Sequence, residues 1–143
     1  MNQKIPVKIK KLKPEAIMPA YATPFAAGAD LYACTEDAAV VIEPHQTAFI
    51  PTGLSIEIPD GYAGLVYARS GIACKRGLAP ANKVGVIDSD YRGEIMVVLH
   101  NHSDQPQQIA NRERVAQLVI TPYLTAEFTE AETLEETDRG EGG

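Results

Sequence analysis

Ten prolines and eleven glycines are spread along this chain of 143 residues, a punctuation that suits many short strands joined by tight turns. Apolar and polar residues alternate over residues 5–9 and 54–58, the period-two signature of half-buried strands. Further short β-branched or aromatic runs occupy residues 64–68, 84–87, 94–99 and 114–123, set off by Gly, Pro, Asn and Asp. The pattern predicts an all-β chain of the sandwich, jelly-roll or barrel kind, without an internal repeat. One helical segment is expected, with Ser70 as the cap of residues 72–76 and Gly77 as its end. A helix start offers free backbone N–H groups, and Ser70 with Gly71 would let an anion approach them closely. An ordinary capped turn is the competing reading.

At 143 residues with 45% hydrophobic content, the chain fits one domain with one packed core. Residues 1–13 carry five lysines interleaved with Ile5, Val7 and Ile9, without the continuous apolar stretch of a signal peptide or membrane span. A cytoplasmic protein without membrane attachment is therefore expected. Cys34 and Cys74 have no zinc-site or disulfide-framework spacing and are read as reduced thiols. The formal charge of -6 argues against non-specific nucleic-acid binding, which needs excess Lys and Arg. Much of that charge is terminal. From residue 125 there are seven acidic residues (Glu127, Glu130, Glu132, Glu135, Glu136, Asp138, Glu141) against Arg139 alone, so 19 − 7 and 13 − 1 leave 12 acidic and 12 basic residues before it. A neutral β domain, residues 1–124, followed by an acidic arm, residues 125–143, is the expected organisation. The arm offers little apolar surface to offset its ordering entropy and should stay mobile until a partner orders it.

Five segments carry the chemistry: AGADL at residues 27–31, RSG at 69–71, GVIDSDYRGEI at 85–95, ERVAQL at 113–118 and RGEGG at 139–143. AGADL or RSG alone would be weak signals. Together and in this order they resemble the motifs of the trimeric dUTPase family. The resemblance implies a distorted jelly-roll (β-clip) fold, with one short helix after RSG, in a homotrimer whose sites are shared between subunits. It also implies magnesium-assisted hydrolysis of dUTP to dUMP and pyrophosphate by water attack at the α-phosphorus. Such an activity limits uracil incorporation into DNA and supplies dUMP for dTMP synthesis.

Nucleoside triphosphate hydrolysis needs phosphate charge neutralised, a water oriented and a base selected. Asp88, at the end of an apolar run, is either a turn-capping aspartate or a firmly held, partly desolvated carboxylate. The resemblance assigns it the water, and leaves Asp90 to support a hairpin. By the same resemblance Gly85, Val86 and Ile87 belong to a hairpin whose backbone pairs with uracil, Asn82 contacts the uracil edge, and Tyr91 packs beneath the deoxyribose. A 2'-hydroxyl forced against that ring without a partner would cost roughly 1 to 3 kcal/mol. Ser70 and Gly71 are placed at the α/β-phosphates, Gln117 on another phosphate oxygen, and Arg139 on the γ-phosphate, where a guanidinium fork suits bidentate binding. Arg69 lies in the same substrate-binding segment, but its guanidinium, like that of Arg114, reads as a scaffold ion-pair partner. Asp30 would reach the magnesium ion through water, most of the ion's ligands being phosphates and waters. His100 and His102, two apart on a strand, lack a third ligand nearby and read as surface or packing residues.

The family arm usually continues beyond RGxGG with Phe-Gly-Ser, which is not present after Gly143. The expectation is weaker lid closure and lower turnover. Arg112 stands where related sequences often have glycine. A dCTP deaminase, which shares the fold family, and a non-catalytic nucleotide-binding homologue are the competing readings. Asp88 followed by Tyr91 favours dUTP hydrolysis, and the presence together of Asp30, Ser70, Asp88, Tyr91 and Gln117 favours retained chemistry.

Overall fold

A computed structural model describes residues 3–143. Its elements run β1 (Lys8–Lys11), β2 (Ala20–Tyr21), β3 (Ala29–Tyr32), β4 (Val40–Ile42), β5 (Thr47–Glu57), β6 (Tyr62–Tyr67), α1 (Ser70–Arg76), β7 (Leu78–Pro80), β8 (Gly85–Ile87), β9 (Glu94–Asn101), β10 (Gln107–Ile109) and β11 (Arg114–Pro122). They form a four-stranded sheet β1-β5-β9-β7, a five-stranded sheet β2-β3-β11-β6-β8 and a small pair β10-β4. All described pairings are antiparallel. The three sheets share one core: Ile50, Leu54 and Leu99 from the first, Leu31 and Val115 from the second, and Ile42 from the third are buried together. Two buried polar side chains are fully engaged. Thr52 Oγ1 donates to the Ile95 carbonyl (2.7 Å), and Asn101 Nδ2 donates to the carbonyls of Ile42 (2.9 Å) and Gln105 (2.8 Å). Such satisfaction avoids the desolvation penalty of a lone buried polar group.

The structure revises several local expectations. The strand read over residues 5–9 begins at Lys8 instead, pairing Lys8 with Glu57 and Lys11 with Leu54; Pro6 has no N–H to donate to a ladder. The 54–58 alternation is the end of the much longer β5, whose register against β9 shifts between Pro51 and Ser55. Gly53, at φ 70°, makes that irregularity. A Cβ there would also stand 2.9 Å from Ala16 Cβ and 3.0 Å from Cys34 Sγ. Ser70 does not cap α1 but is its first residue; Arg69 is the N-cap, in extended conformation and without a side-chain cap bond. Gly77 does close the helix in the left-handed region, φ 67°. Ile72 buries one face of α1, while Arg76 on its last turn reaches Glu113 and the Gln108 carbonyl.

Residues 85–95 also differ from the expected hairpin. β8 pairs with β6, and β9 with β5 and β7, so the turn at 88–93 carries the chain from one sheet to the other. Beyond β11, the Tyr123 N–H donates to Gly61 O (3.0 Å). From residue 124 the described chain joins no sheet and is exposed throughout, including Leu124, Phe128 and Leu134.

Candidate active site

Two groups of the expected residues occupy different parts of the five-stranded sheet, one at its β8 edge and one on β3 and the central β11. The first lines a groove of about 200 Å³ between β8 and β9, to which Asn82, Gly85, Val86, Ile87, Asp88 and Tyr91 all contribute. β8 is the last strand of its sheet, so one edge carries backbone N–H and C=O groups without a strand partner. Asn82 sits in a tight turn, its carbonyl accepting from Val84 N–H (2.7 Å), with Lys83 at φ 66°. A Cβ on Gly85 would lie 3.1 Å from Asn82 Nδ2, so the carboxamide rests over that glycine. Tyr91 folds back along its own turn, its Oη donating to Glu94 O (2.9 Å). Gly93 makes room for it, since a Cβ there would stand 2.6 Å from Tyr91 Cζ.

Asp88 departs from the desolvated carboxylate of the sequence reading. It is exposed, at the free end of an edge strand where this chain places nothing over it. Its carbonyl accepts from Tyr91 N–H (3.1 Å), but among the described residues its carboxylate has no hydrogen-bond or ion-pair partner. Asp90 is not the residue that supports the turn. Arg92 does so, its Nη1 donating to Ser89 O (2.6 Å) and Tyr91 O (3.2 Å).

The second group lies where β3, β11 and the start of α1 meet. Asp30, almost buried, faces Gln117 across the β3–β11 ladder. Arg69 Nε donates to Asp30 Oδ1 (3.0 Å), and Arg114 Nη1 lies 3.6 Å from Oδ2. Gln117 Nε2 donates to the Ala68 carbonyl (2.8 Å). Each of the two neighbouring strands thus anchors the segment entering α1, and Ser70 and Gly71 are held by that frame. A Cβ on Gly71 would meet nothing within 4 Å, leaving the helix start open to a ligand.

One chain does not bring the two groups together. Ile87 pairs with Gly64 of β6, while Gln117 pairs with Tyr67 on its other side. Three residues along a strand and two strand spacings across put their backbones roughly 14 Å apart, and Asp88 is one step farther. Arg139 joins neither group; on the exposed arm its Nε donates to Gly142 O (2.6 Å). Gly28, Gly93 and the Ala68 carbonyl escaped the sequence reading as site residues, although both glycines lie inside or beside recognised motifs.

The histidines form a separate cluster. The rings of His100 and His102 meet edge to face at 4.6 Å, and His100 Nδ1 is 2.9 Å from Thr47 Oγ1. Burial, then the charges of His100, Lys83 and His45, hold the His102 pKa below its usual value. No group of three or more metal-ligating side chains occurs among the described residues. Nor is any helix among them long and apolar enough to cross a membrane.

The dUTPase family model matches residues 14–143. A deoxyuridine 5'-triphosphate nucleotidohydrolase of Syntrophotalea carbinolica is 46% identical over 139 residues, 97% of this chain and 94% of that protein. One from Nautilia profundicola is 49% identical over 137 residues, 96% and 94% of the two chains. Among solved structures, a Staphylococcus bacteriophage 80alpha dUTPase with dUpNHpp superposes with a TM-score of 0.87 at 30% identity, covering 98% of this chain and 96% of its own. A phage phi11 dUTPase of S. aureus, described with a structural Mg(II) ion, gives 0.82 at 27% identity over 92% and 100%. With its β-sheets, its single short helix and its ordered motifs, this chain belongs to the dUTPase family and has the all-β dUTPase fold.

Proposed function

We propose that this chain hydrolyses dUTP to dUMP and pyrophosphate, as a homotrimer whose sites draw on more than one subunit, in the cytoplasm. The observation that carries the base reading is the unpaired edge of β8 along the groove. A strand edge offers donors and acceptors in fixed order, which suits the flat, alternating edge of uracil. Asn82 borders that edge, and Tyr91, fixed through its hydroxyl, forms the surface for the deoxyribose.

The separation of Asp88 from Ser70, Gly71 and Gln117 supports shared sites. A phosphate chain held by the α1 end of one subunit meets Asp88 only if a neighbouring subunit presents it. There Asp88 orients the attacking water and takes its proton; burial by the neighbour would supply the desolvation that this chain alone does not. Arg139 contributes charge to the γ-phosphate from a mobile arm, excluding water as it closes.

Magnesium would be delivered by the nucleotide, whose phosphate oxygens, with water, are the ligands this ion prefers; the Asp30 carboxylate is already paired with Arg69 and Arg114, which suits an indirect contact. Asp30 would hold the ion through water, and the ion would supply neutralisation of phosphate charge. The product dUMP is the precursor that a thymidylate-forming reaction consumes, and removal of dUTP limits uracil in DNA.

Pyrophosphate release from dUTP, dCTP, dTTP and UTP, with magnesium and with EDTA, tests the proposal. Release from dUTP alone, abolished by EDTA, is expected. Tight dUMP binding without release would leave a binding homologue, and no affinity for uracil nucleotides would overturn the reading.

A further inference from the structure

Gly28 precedes β3 and lies on the same face as Asp30, two residues on. Across the ladder Gln117 pairs with Asp30, and its side chain leans back over Gly28. A Cβ on Gly28 would stand 3.0 Å from Gln117 Cβ and 2.9 Å from Cδ, and closer still to Oε1. The backbone of Gly28 is not in the left-handed region, so it is one that alanine also adopts. What requires glycine here is the carboxamide lying across it. That carboxamide is fixed from the other side by the bond from Nε2 to the Ala68 carbonyl, at the entrance to α1.

We propose that Gly28 is a positioning residue for the reaction: its missing side chain is the seat that lets Gln117 lie flat, with Oε1 over Gly28 and one Nε2 N–H on the Ala68 carbonyl, so that the second N–H is left to donate to a phosphate oxygen. This rests on the reading of Gln117 as a phosphate-contacting residue. The nearest obstruction to a methyl group at Gly28 is the far end of a flexible side chain, so Gly28→Ala swings the carboxamide away, and Gln117 Cβ, at 3.0 Å, has only to give by a few tenths of an ångström. The cost falls on the site more than on the fold. Displacing a substrate-positioning group by about 1 Å can lower turnover 100-fold.

The test is a double-mutant cycle on the full chain with Gly28→Ala, Gln117→Ala and the double variant, reading kcat, KM and thermal midpoint. The Gln117 carboxamide signals of the wild type and Gly28→Ala proteins are compared by NMR. Gly28→Ala should lose roughly 10- to 100-fold in kcat/KM with shifted carboxamide signals. In the Gln117→Ala background it should cost no more than about twofold, the scatter expected of non-interacting sites. A merely structural glycine would lower the thermal midpoint in both backgrounds, and its effects on activity would multiply. Multiplying effects, full activity or unmoved carboxamide signals would each overturn the proposal. If Gln117→Ala alone were fully active, the phosphate reading of Gln117 would fall and the proposal with it. Failure of the seat alone shows differently, as an impaired Gln117→Ala variant beside unmoved signals in Gly28→Ala.

Discussion

The β8 edge of the five-stranded sheet and the β3–β11 region inside it are built on opposite principles. Around Asp30 the charged side chains and one carboxamide are tied within the chain: Arg69 and Arg114 to one carboxylate, Gln117 Nε2 to the Ala68 carbonyl. At β8 the strand edge is unpaired, and the Asp88 carboxylate stands exposed without a partner among the described residues. Rigid charged networks hold their geometry before a ligand arrives. A bare edge gains its environment only from whatever packs on it, whether nucleotide or neighbouring subunit. Both groups carry residues proposed for the reaction, one set in place by the chain itself and the other completed by what packs on it.

Asp88→Asn gives the sharpest contrast. It should lower kcat by roughly 100- to 10,000-fold, the range of general-base catalysis, while the thermal midpoint and dUMP affinity stay near wild type. A large drop in midpoint would show that Asp88 belongs to a network after all. Asp30→Asn, unlike Asp88→Asn, should lower stability, because it leaves two arginines facing a neutral amide. Breaking a buried pair costs about 3 to 5 kcal/mol, but Arg114 is half exposed and screened by solvent, so about 2 kcal/mol is expected. Urea unfolding measures it, and an unchanged midpoint would make the network dispensable. The smallest effect concerns the turn that feeds β11. Arg112 sits at φ 70°, where a side chain is strained and glycine is not. Arg112→Gly should raise stability by about 0.5 to 1 kcal/mol without changing turnover; a loss of stability would mean that the Arg112 side chain contributes more than its backbone costs.

Arg112 also illustrates what could be read beforehand. The resemblance marked Arg112 as a position where glycine is expected, yet the reason, a left-handed turn with its N–H on Ala33 O (2.9 Å), needed the backbone. β9 and β11 were legible as β-branched runs set off by turn residues, although neither alternates strictly. The first half of β5 was not, since Pro51 and Gly53 disguise a strand that tolerates them through a register shift. β4, β7 and β10 have three residues each, too few to show a period, and exist through their partners. At the site, motif order pointed to Asp88, Tyr91 and Gln117. That Arg69 and Arg114 share Asp30 depends on strand neighbours 39 and 84 positions away from it, and no local pattern encodes such a meeting. Gly28 was hidden for the same reason: its seat is defined by a side chain on another strand.

The free edge of β8 has a consequence for how the groove can change. Main-chain N–H and C=O groups are the same whatever residue other than proline carries them, so the order of donors and acceptors along Gly85–Ile87 is untouched by any other substitution there. Re-addressing that edge to a different ring would take a slip of register or a change in the length of the turns beside it. A one-residue slip also turns every side chain of the strand to the opposite face, exposing Ile87, which is buried now. Drift by point mutation is therefore blocked at the edge itself, and its chemical preference is inherited with the fold.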